Sequence, residues 1–314
     1  MNSPLTRRDF VWSCLGATAS LAGIAGLTPS KARAVEAYRR PGSPRFLLSL
    51  AAYSFRDFFS DGNRGRKTAP DPAKQIDMFK FVDFCADHGC HGAEVTSYYF
   101  PEALSGDYLL KLKRHAFIRG IEISGTAVGN TFTLPKGKKR DEQTASVKKW
   151  IDHAQIMGAP HIRVFAGTAS GGVTKEEAKK LCIEALEECG DYAGGKGVFL
   201  GIENHGGIVS EADDLLEIIR TVKSPWIGVN LDTGNFHTKD PYADIAKCAP
   251  YAVNVQLKVE MQAQGQPKQE ADLARIMRIL KDSNYQGYFV LEYEAPKDPW
   301  TEVPIWLKRM REAI

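Results

Sequence analysis

The amino-acid sequence predicts an α/β chain closed into a (β/α)8 barrel. Short apolar runs alternate with longer amphipathic ones through residues 46–312, the signature of parallel strands joined by helices. Eight such pairs fit within the 314 residues. No GxGxxG opens any of them, so an open doubly wound sheet built around a dinucleotide lacks its phosphate turn.

The strands are expected at 46–55, 92–97, 122–128, 161–166, 198–204, 227–233, 253–259 and 287–293. The helices that follow them are expected at 72–89, 106–119, 144–157, 174–194, 210–222, 242–249, 269–283 and 302–312. Asp71-Pro72 sets a capping side chain before a proline suited to a first helical turn. Thr174-Lys175-Glu176-Glu177 is a capping box, and Ser210-Glu211-Ala212-Asp213 resembles one with Asp in place of Glu. Gly89, Gly120, Gly158 and Gly195 sit just past helix ends, where a left-handed residue is wanted. Lys136, Lys138, Lys139 and Arg140 read as a basic, solvated surface turn.

The first 34 residues read as a separate export signal. Thr6-Arg7-Arg8-Asp9-Phe10 precedes an uncharged stretch rich in Ala, Gly and Ser, and Ala32-Arg33-Ala34 offers small residues to a signal peptidase. This is a twin-arginine address read by a receptor rather than a membrane anchor. The stretch is also too brief and too weakly apolar to span a bilayer. Cleavage after Ala34 would leave residues 35–314 as one barrel domain in the periplasm, or otherwise exported, with no membrane attachment. Arg7, Arg8, Lys31 and Arg33 against Asp9 account for the whole formal charge of +3, so the remainder is balanced. No basic field is left to attract nucleic acid or an anionic membrane. Beyond Cys14, the five cysteines include no CxxC and specify neither a zinc knuckle nor a complete disulfide framework. Cys85 and Cys90 could bridge in an oxidising compartment; Cys182 and Cys189, seven apart on a helix, read as small core residues.

Function is expected at the carboxyl ends of the strands, where barrels of this kind gather their active groups. Four late strands stop on metal-binding side chains: Glu203, Asp232, Gln256 and Glu292. A buried unpaired carboxylate costs several kcal/mol, so three such stops imply something positive between them. Residues two apart share a face of a strand, which brings His205 with Glu203, Lys258 with Gln256 and Glu294 with Glu292. Three carboxylates and an amide oxygen form a hard donor set for one divalent ion, Mn²⁺ before Mg²⁺, Co²⁺ or Zn²⁺.

Gly201-Ile202-Glu203-Asn204-His205, Leu231-Asp232-Thr233-Gly234-Asn235 and Leu291-Glu292-Tyr293-Glu294 resemble the xylose-isomerase-like TIM barrels of the sugar isomerase/epimerase superfamily. Ala52-Tyr53-Ser54-Phe55 and Gly92-Ala93-Glu94-Val95 extend the resemblance to the first two strands. It implies one divalent metal on Glu203, Asp232, Gln256 and Glu292, with Gln256 standing where the family carries a histidine. Asn235 likewise replaces a histidine, and the histidine-rich cluster of the related apurinic-site endonucleases is absent, which argues against a nuclease. The resemblance further implies that Glu203 and Glu292 move a proton beside a sugar carbonyl.

The expected activity is a metal-dependent sugar isomerase or epimerase, with an unphosphorylated sugar or glycoside as small-molecule substrate because export disfavours sugar phosphates. A lyase acting on 3-keto-glycosides shares the same first step, and a non-catalytic sugar-binding barrel is the alternative from another class. His205 is a second candidate base, and Lys258 a candidate holder of the developing oxyanion. Glu94, His237 and Arg163 are candidate substrate contacts. A homodimer is expected only by analogy with other barrels.

Overall fold

A computed structural model describes residues 35–62 and 71–314; the export signal read in residues 1–34 lies outside the described residues. In chain order the strands are β1 Arg45–Ala51, β2 Gly92–Thr96, β3 Glu122–Ala127, β4 His161–Phe165, β5 Phe199–Glu203, β6 Ile227–Asp232, β7 Ala252–Leu257, β8 Glu260–Met261, β9 Gln269–Glu270 and β10 Gln286–Leu291. The described helices are α1 Met78–Asp87, α2 Gly106–Ile118, α3 Lys138–Met157, α4 Lys175–Gly194, α5 Ala212–Thr221, α6 Pro241–Cys248, α7 Leu273–Asp282 and α8 Pro299–Ala313. Eight strands close in the order β1-β10-β7-β6-β5-β4-β3-β2, each pair parallel. The expected barrel is present, with each of its eight strands inside or within one residue of its anticipated range.

Alternation along each strand sorts side chains by destination. Val229, Leu231, Val255, Leu257 and Leu291 point outward under the helices and are fully buried there. Each contributes about 1.5–3 kcal/mol by leaving water. Their neighbours Asn230, Asp232, Asn254, Gln256 and Glu292 are also buried, but turn toward the barrel axis, where polar groups must find one another.

Several boundaries differ from the sequence reading, each for a local reason. The segment expected as one helix over 72–89 is a 3-10 turn at Pro72–Lys74 followed by α1, because Asp77 caps a new start by accepting from Lys80 N. The first strand stops at Ala51 and turns into a 3-10 segment, Ala52–Phe55. The basic turn is the start of α3; Arg140 is buried and paired with Glu188 at 3.1 Å. Residues 269–283 divide into β9, which pairs antiparallel with β8, and α7, which Asp272 caps. The Thr174 capping box is present in full, whereas Glu211 stands at the start of α5 with no side-chain cap. Gly89, Gly120 and Gly158 are left-handed; Gly195 is not, and Gly197 takes that conformation two residues later. Cys85, Cys90, Cys182, Cys189 and Cys248 are buried free thiols.

One irregularity matters for the interior. The β2–β3 register shifts after Ala93, so Ile123 pairs with Ala93 but Gly125 pairs with Glu94. Gly125 thereby lies against the buried His161 ring, where a Cβ would stand 2.0 Å from its Cε1. Gly125→Ala is expected to cost about 1–3 kcal/mol through overpacking. Urea unfolding should show a lower midpoint with an unchanged slope.

Candidate functional site

Register decides what meets at the carboxyl end of the barrel. Glu203 pairs with Asn230 across β5 and β6, and Asp232 pairs with Gln256 across β6 and β7. Gln256 pairs with Val290 across β7 and β10, so Glu292 stands two residues further out, beside Lys258. Two locks hold these ends. Asn204 donates from Nδ2 to the Asp232 carbonyl at 2.9 Å and accepts Asp232 N at 2.9 Å. Thr233 Oγ1 accepts Lys258 N at 3.1 Å.

The Lys258 ammonium is the centre of the arrangement. Its Nζ lies 3.4 Å from Asp232 Oδ2, 3.0 Å from Glu292 Oε2 and 2.5 Å from Glu294 Oε2. Glu203 leans the other way: Oε2 lies 2.9 Å from Arg163 Nε, and Oε1 accepts from Asn235 Nδ2 at 2.8 Å. Arg163 is itself buried, donates from Nη1 to the Val128 carbonyl at 3.0 Å and sits 4.0 Å from the Phe165 ring centroid.

Four carboxylates thus face two cations, so full ionisation leaves a surplus of negative charge, three of the carboxylates being buried and Glu294 partly exposed. Burial pushes Glu203, Asp232 and Glu292 each up to about 7, with Arg163 opposing the rise at Glu203 and Lys258 opposing it at the other two. Burial would also raise Glu294, but the Lys258 charge and hydrogen bond outweigh it and hold that carboxyl below its ordinary range. Burial opposes the Lys258 charge, yet Asp232, Glu292 and Glu294 hold its pKa well above the ordinary lysine value.

Among the described residues, no three His, Cys, Asp or Glu side chains lie together closely enough to hold an ion in their present positions. Lys258 gathers Asp232, Glu292 and Glu294, while Arg163 holds Glu203 separately. The donor chemistry nonetheless fits a divalent ion. The site has surplus negative charge, its donors are hard oxygens, and Asp232 Oδ2 is buried with no hydrogen bond. Glu203, Asp232 and Glu292 are the carboxylates able to hold it, and the Gln256 oxygen keeps acceptor capacity that its one accepted bond does not use. Gln256 is turned into the layer beneath, where Nε2 donates to Glu94 Oε1 at 2.6 Å and Oε1 accepts from Asn230 Nδ2 at 2.6 Å.

The remaining candidates are spread by depth. His205 is exposed at the mouth with its ring 4.7 Å from Phe165; partial burial, then the Arg163 charge, lowers its pKa. His237 is exposed on the rim, its Nδ1 3.2 Å from the Gln262 carbonyl. Arg163 spends its guanidinium on Glu203 and a carbonyl, and Glu94, 1% exposed, lies within the barrel. Sequence reasoning set Glu294 beside Glu292 without giving it a role. It walls both a cavity of about 130 Å³ shared with Asn235, His237 and Lys258 and a larger one of about 670 Å³ shared with Ser54 and Arg56. The amide-locking roles of Asn204, Asn230 and Asn254 were missed, although Asn230-x-Asp232 and Asn254-x-Gln256-x-Lys258 carry the period of two that would have placed them on one face.

Comparisons with known proteins agree with this fold. The xylose isomerase-like TIM barrel family profile matches residues 82–310. A 3-oxo-isoapionate decarboxylase from Pectobacterium atrosepticum is 25% identical over 214 residues, spanning 67% of this chain and 68% of that protein. An L-ribulose 3-epimerase structure superposes with a TM-score of 0.67 at 15% identity, covering 85% of this chain and 92% of the other. The IolI protein with a bound zinc atom gives 0.66 at 16% identity over 85% and 96%.

The raised carboxyls fix the sign of a pH dependence in metal-free protein. Their folded pKa values near 7 exceed the ordinary 3.8 to 4.5, so protonation favours the folded state. Their contribution to stability is present at low pH and is lost as pH rises through about 7. Lys258→Met is expected to cost about 3–5 kcal/mol at neutral pH by leaving buried carboxylates unpaired. Urea unfolding in chelator should show that penalty shrinking at about pH 5, where protons replace the missing ammonium.

Proposed function

The chain belongs to the xylose isomerase-like TIM barrel family, and from that premise we propose that it is a divalent-metal-dependent sugar isomerase or epimerase. One observation carries the reading: Glu203, Asp232, Glu292 and Glu294 converge from three strand ends on only two cations. A binding module would have no use for three buried carboxylates facing two cations with a fourth at the mouth, an arrangement that is costly unless it serves chemistry. Glu203, Asp232 and Glu292 would hold the ion, which when bound would polarise a substrate carbonyl.

The residues themselves supply the proton transfers. Glu203 and Glu292 enter from separate strands, so one can remove a proton from the carbon beside the carbonyl and the other return one from the opposite side. Asn235 and Arg163 keep the Glu203 carboxylate oriented. Lys258 faces the developing oxyanion as the nearest ammonium, and Glu294 holds it in place. His205 and His237, exposed at the mouth, suit sugar hydroxyls better than the proton transfer itself. The substrate would be an unphosphorylated sugar or glycoside, on the further proposal that residues 1–34 direct export to the periplasm.

The relative named for 3-oxo-isoapionate decarboxylation favours a second reading, cleavage beside a 3-oxo group. Loss of carbon dioxide would leave the C–C bond electrons as an enolate that Glu203 or Glu292 then protonates. A 3-keto-glycoside lyase would instead first give up its α-proton to one of them and then expel the group β to the carbanion. Lys258 would face the enolate oxygen in either case.

Solvent deuterium incorporation separates these outcomes. With Mn²⁺ and a panel of ketoses and 3-keto-glycosides, an epimerase should exchange and invert, and a lyase should exchange and fragment. Glu203→Gln and Glu292→Gln should each lower exchange by about 10²–10⁴-fold. Saturable sugar binding without any exchange, or full activity in either variant, would refute the reading.

A further inference from the structure

Glu94 is the least explained charged residue in the barrel. It sits on β2, is 1% exposed, and has no lysine or arginine partner among the described residues. The nearest basic group is His161 Nε2 at 3.7 Å, and that nitrogen makes no hydrogen bond. What Glu94 does hold is a closed ring of amides directly under the carboxylate centre. Asn254 Nδ2 donates to Glu94 Oε2 at 2.8 Å and to Asn230 Oδ1 at 2.9 Å. Asn230 Nδ2 donates to Gln256 Oε1, and Gln256 Nε2 donates back to Glu94 Oε1, both at 2.6 Å.

The direction of every bond in that ring follows from one member. An amide presents a donor end and an acceptor end that can exchange by rotation, and its partners decide which faces where. A carboxylate only accepts. Glu94 therefore compels Gln256 to turn its NH2 inward and Asn254 to do the same. Asn254, donating to Asn230 Oδ1, in turn fixes Asn230 as donor to Gln256 Oε1. The Gln256 oxygen retains a lone pair that Asn230 does not use, so acceptor rather than donor capacity is kept beside Asp232, its register partner.

We propose that Glu94 is a positioning residue that sets the amide orientation of Gln256, and through it the acceptor offered to a cation or sugar hydroxyl at the strand ends. This departs from the sequence expectation of a direct substrate contact. It rests on the proposed metal reading only for what the acceptor is used on; the orientation itself does not depend on it.

The test uses the full chain and the isosteric variant Glu94→Gln. A glutamine there must point its own NH2 at one of two donors, so the ring loses its single sense. Two readouts are taken without substrate: Mn²⁺ affinity by calorimetry, and the side-chain NH2 resonances of Gln256, Asn230 and Asn254 by 15N-TROSY in metal-free protein. In wild type the Gln256 NH2 pair should be shifted and protected from exchange. In Glu94→Gln it should lose that protection, and Mn²⁺ affinity should fall by about 10–100-fold, the usual effect of removing a ligand's hydrogen-bond partner. The reciprocal pair Glu94→Gln with Gln256→Glu restores a donor–acceptor match and should recover Mn²⁺ binding. A wild-type Gln256 pair that exchanges like a surface glutamine, or a variant with unchanged resonances, would overturn the proposal. Wild type that takes up no Mn²⁺ would instead refute the metal reading, leaving the resonances to decide the role of Glu94.

Discussion

The pairing of Lys258 with Asp232, Glu292 and Glu294 is the constraint around which the rest of this barrel is arranged. One ammonium meets three carboxylates, Asp232 and Glu292 buried and Glu294 partly exposed at the mouth. At low effective dielectric such charges interact strongly, and each is expensive to strand. With Arg163 taken up by Glu203, the balance stays negative however the pairs are drawn. A site so built is stable only by holding protons, as the raised pKa values indicate, or by admitting another cation. On the proposed reading that choice ties folding to function: the surplus charge that weakens the metal-free protein at neutral pH would be the feature that equips it to bind a positive ion.

Beneath the layer of paired charges lies one of amides gathered on a single carboxylate, and the two solve different problems. The ring of Glu94, Gln256, Asn230 and Asn254 satisfies most of its donors and acceptors internally. Asn254 Oδ1 is left without a partner, a sign that the network was not shaped for stability alone. Above it, hydrogen-bond capacity is deliberately incomplete, with Asp232 Oδ2 facing only a distant ammonium. Rigid amides under adaptable charges give a pre-organised floor and a responsive mouth, the division of labour that proton transfer requires.

The fold was legible because alternation and periodicity are local signals. β1–β7 and β10 follow from apolar runs that any reader of residues 46–293 can find. Helix starts were less legible: Asp71 and Asp77 both act as caps, the first on a 3-10 turn and the second on α1, which begins at Met78. Arg140 looked like part of a solvated turn because nothing nearby in sequence reveals Glu188, forty-eight positions on, as its partner. At the site, the identity of Glu203, Asp232 and Glu292 was readable from where strands stop, whereas their partners were not. Register across β6, β7 and β10 decides that Lys258, rather than Gln256, stands level with Glu292. The bulge in β3 that seats His161 beside Glu94 leaves only a glycine as its trace in the sequence.

The central claim is that the strand-end carboxylates enclose one divalent cation, and metal content measures it directly. Purified wild-type protein incubated with excess Mn²⁺ and freed of loose ions by gel filtration should retain one ion per chain by mass spectrometry of the metal. Asp232→Asn, which removes the charge on the oxygen left without a hydrogen bond, should abolish that retention. Wild type that retains no ion, or an Asp232→Asn variant that retains it undiminished, would contradict the account.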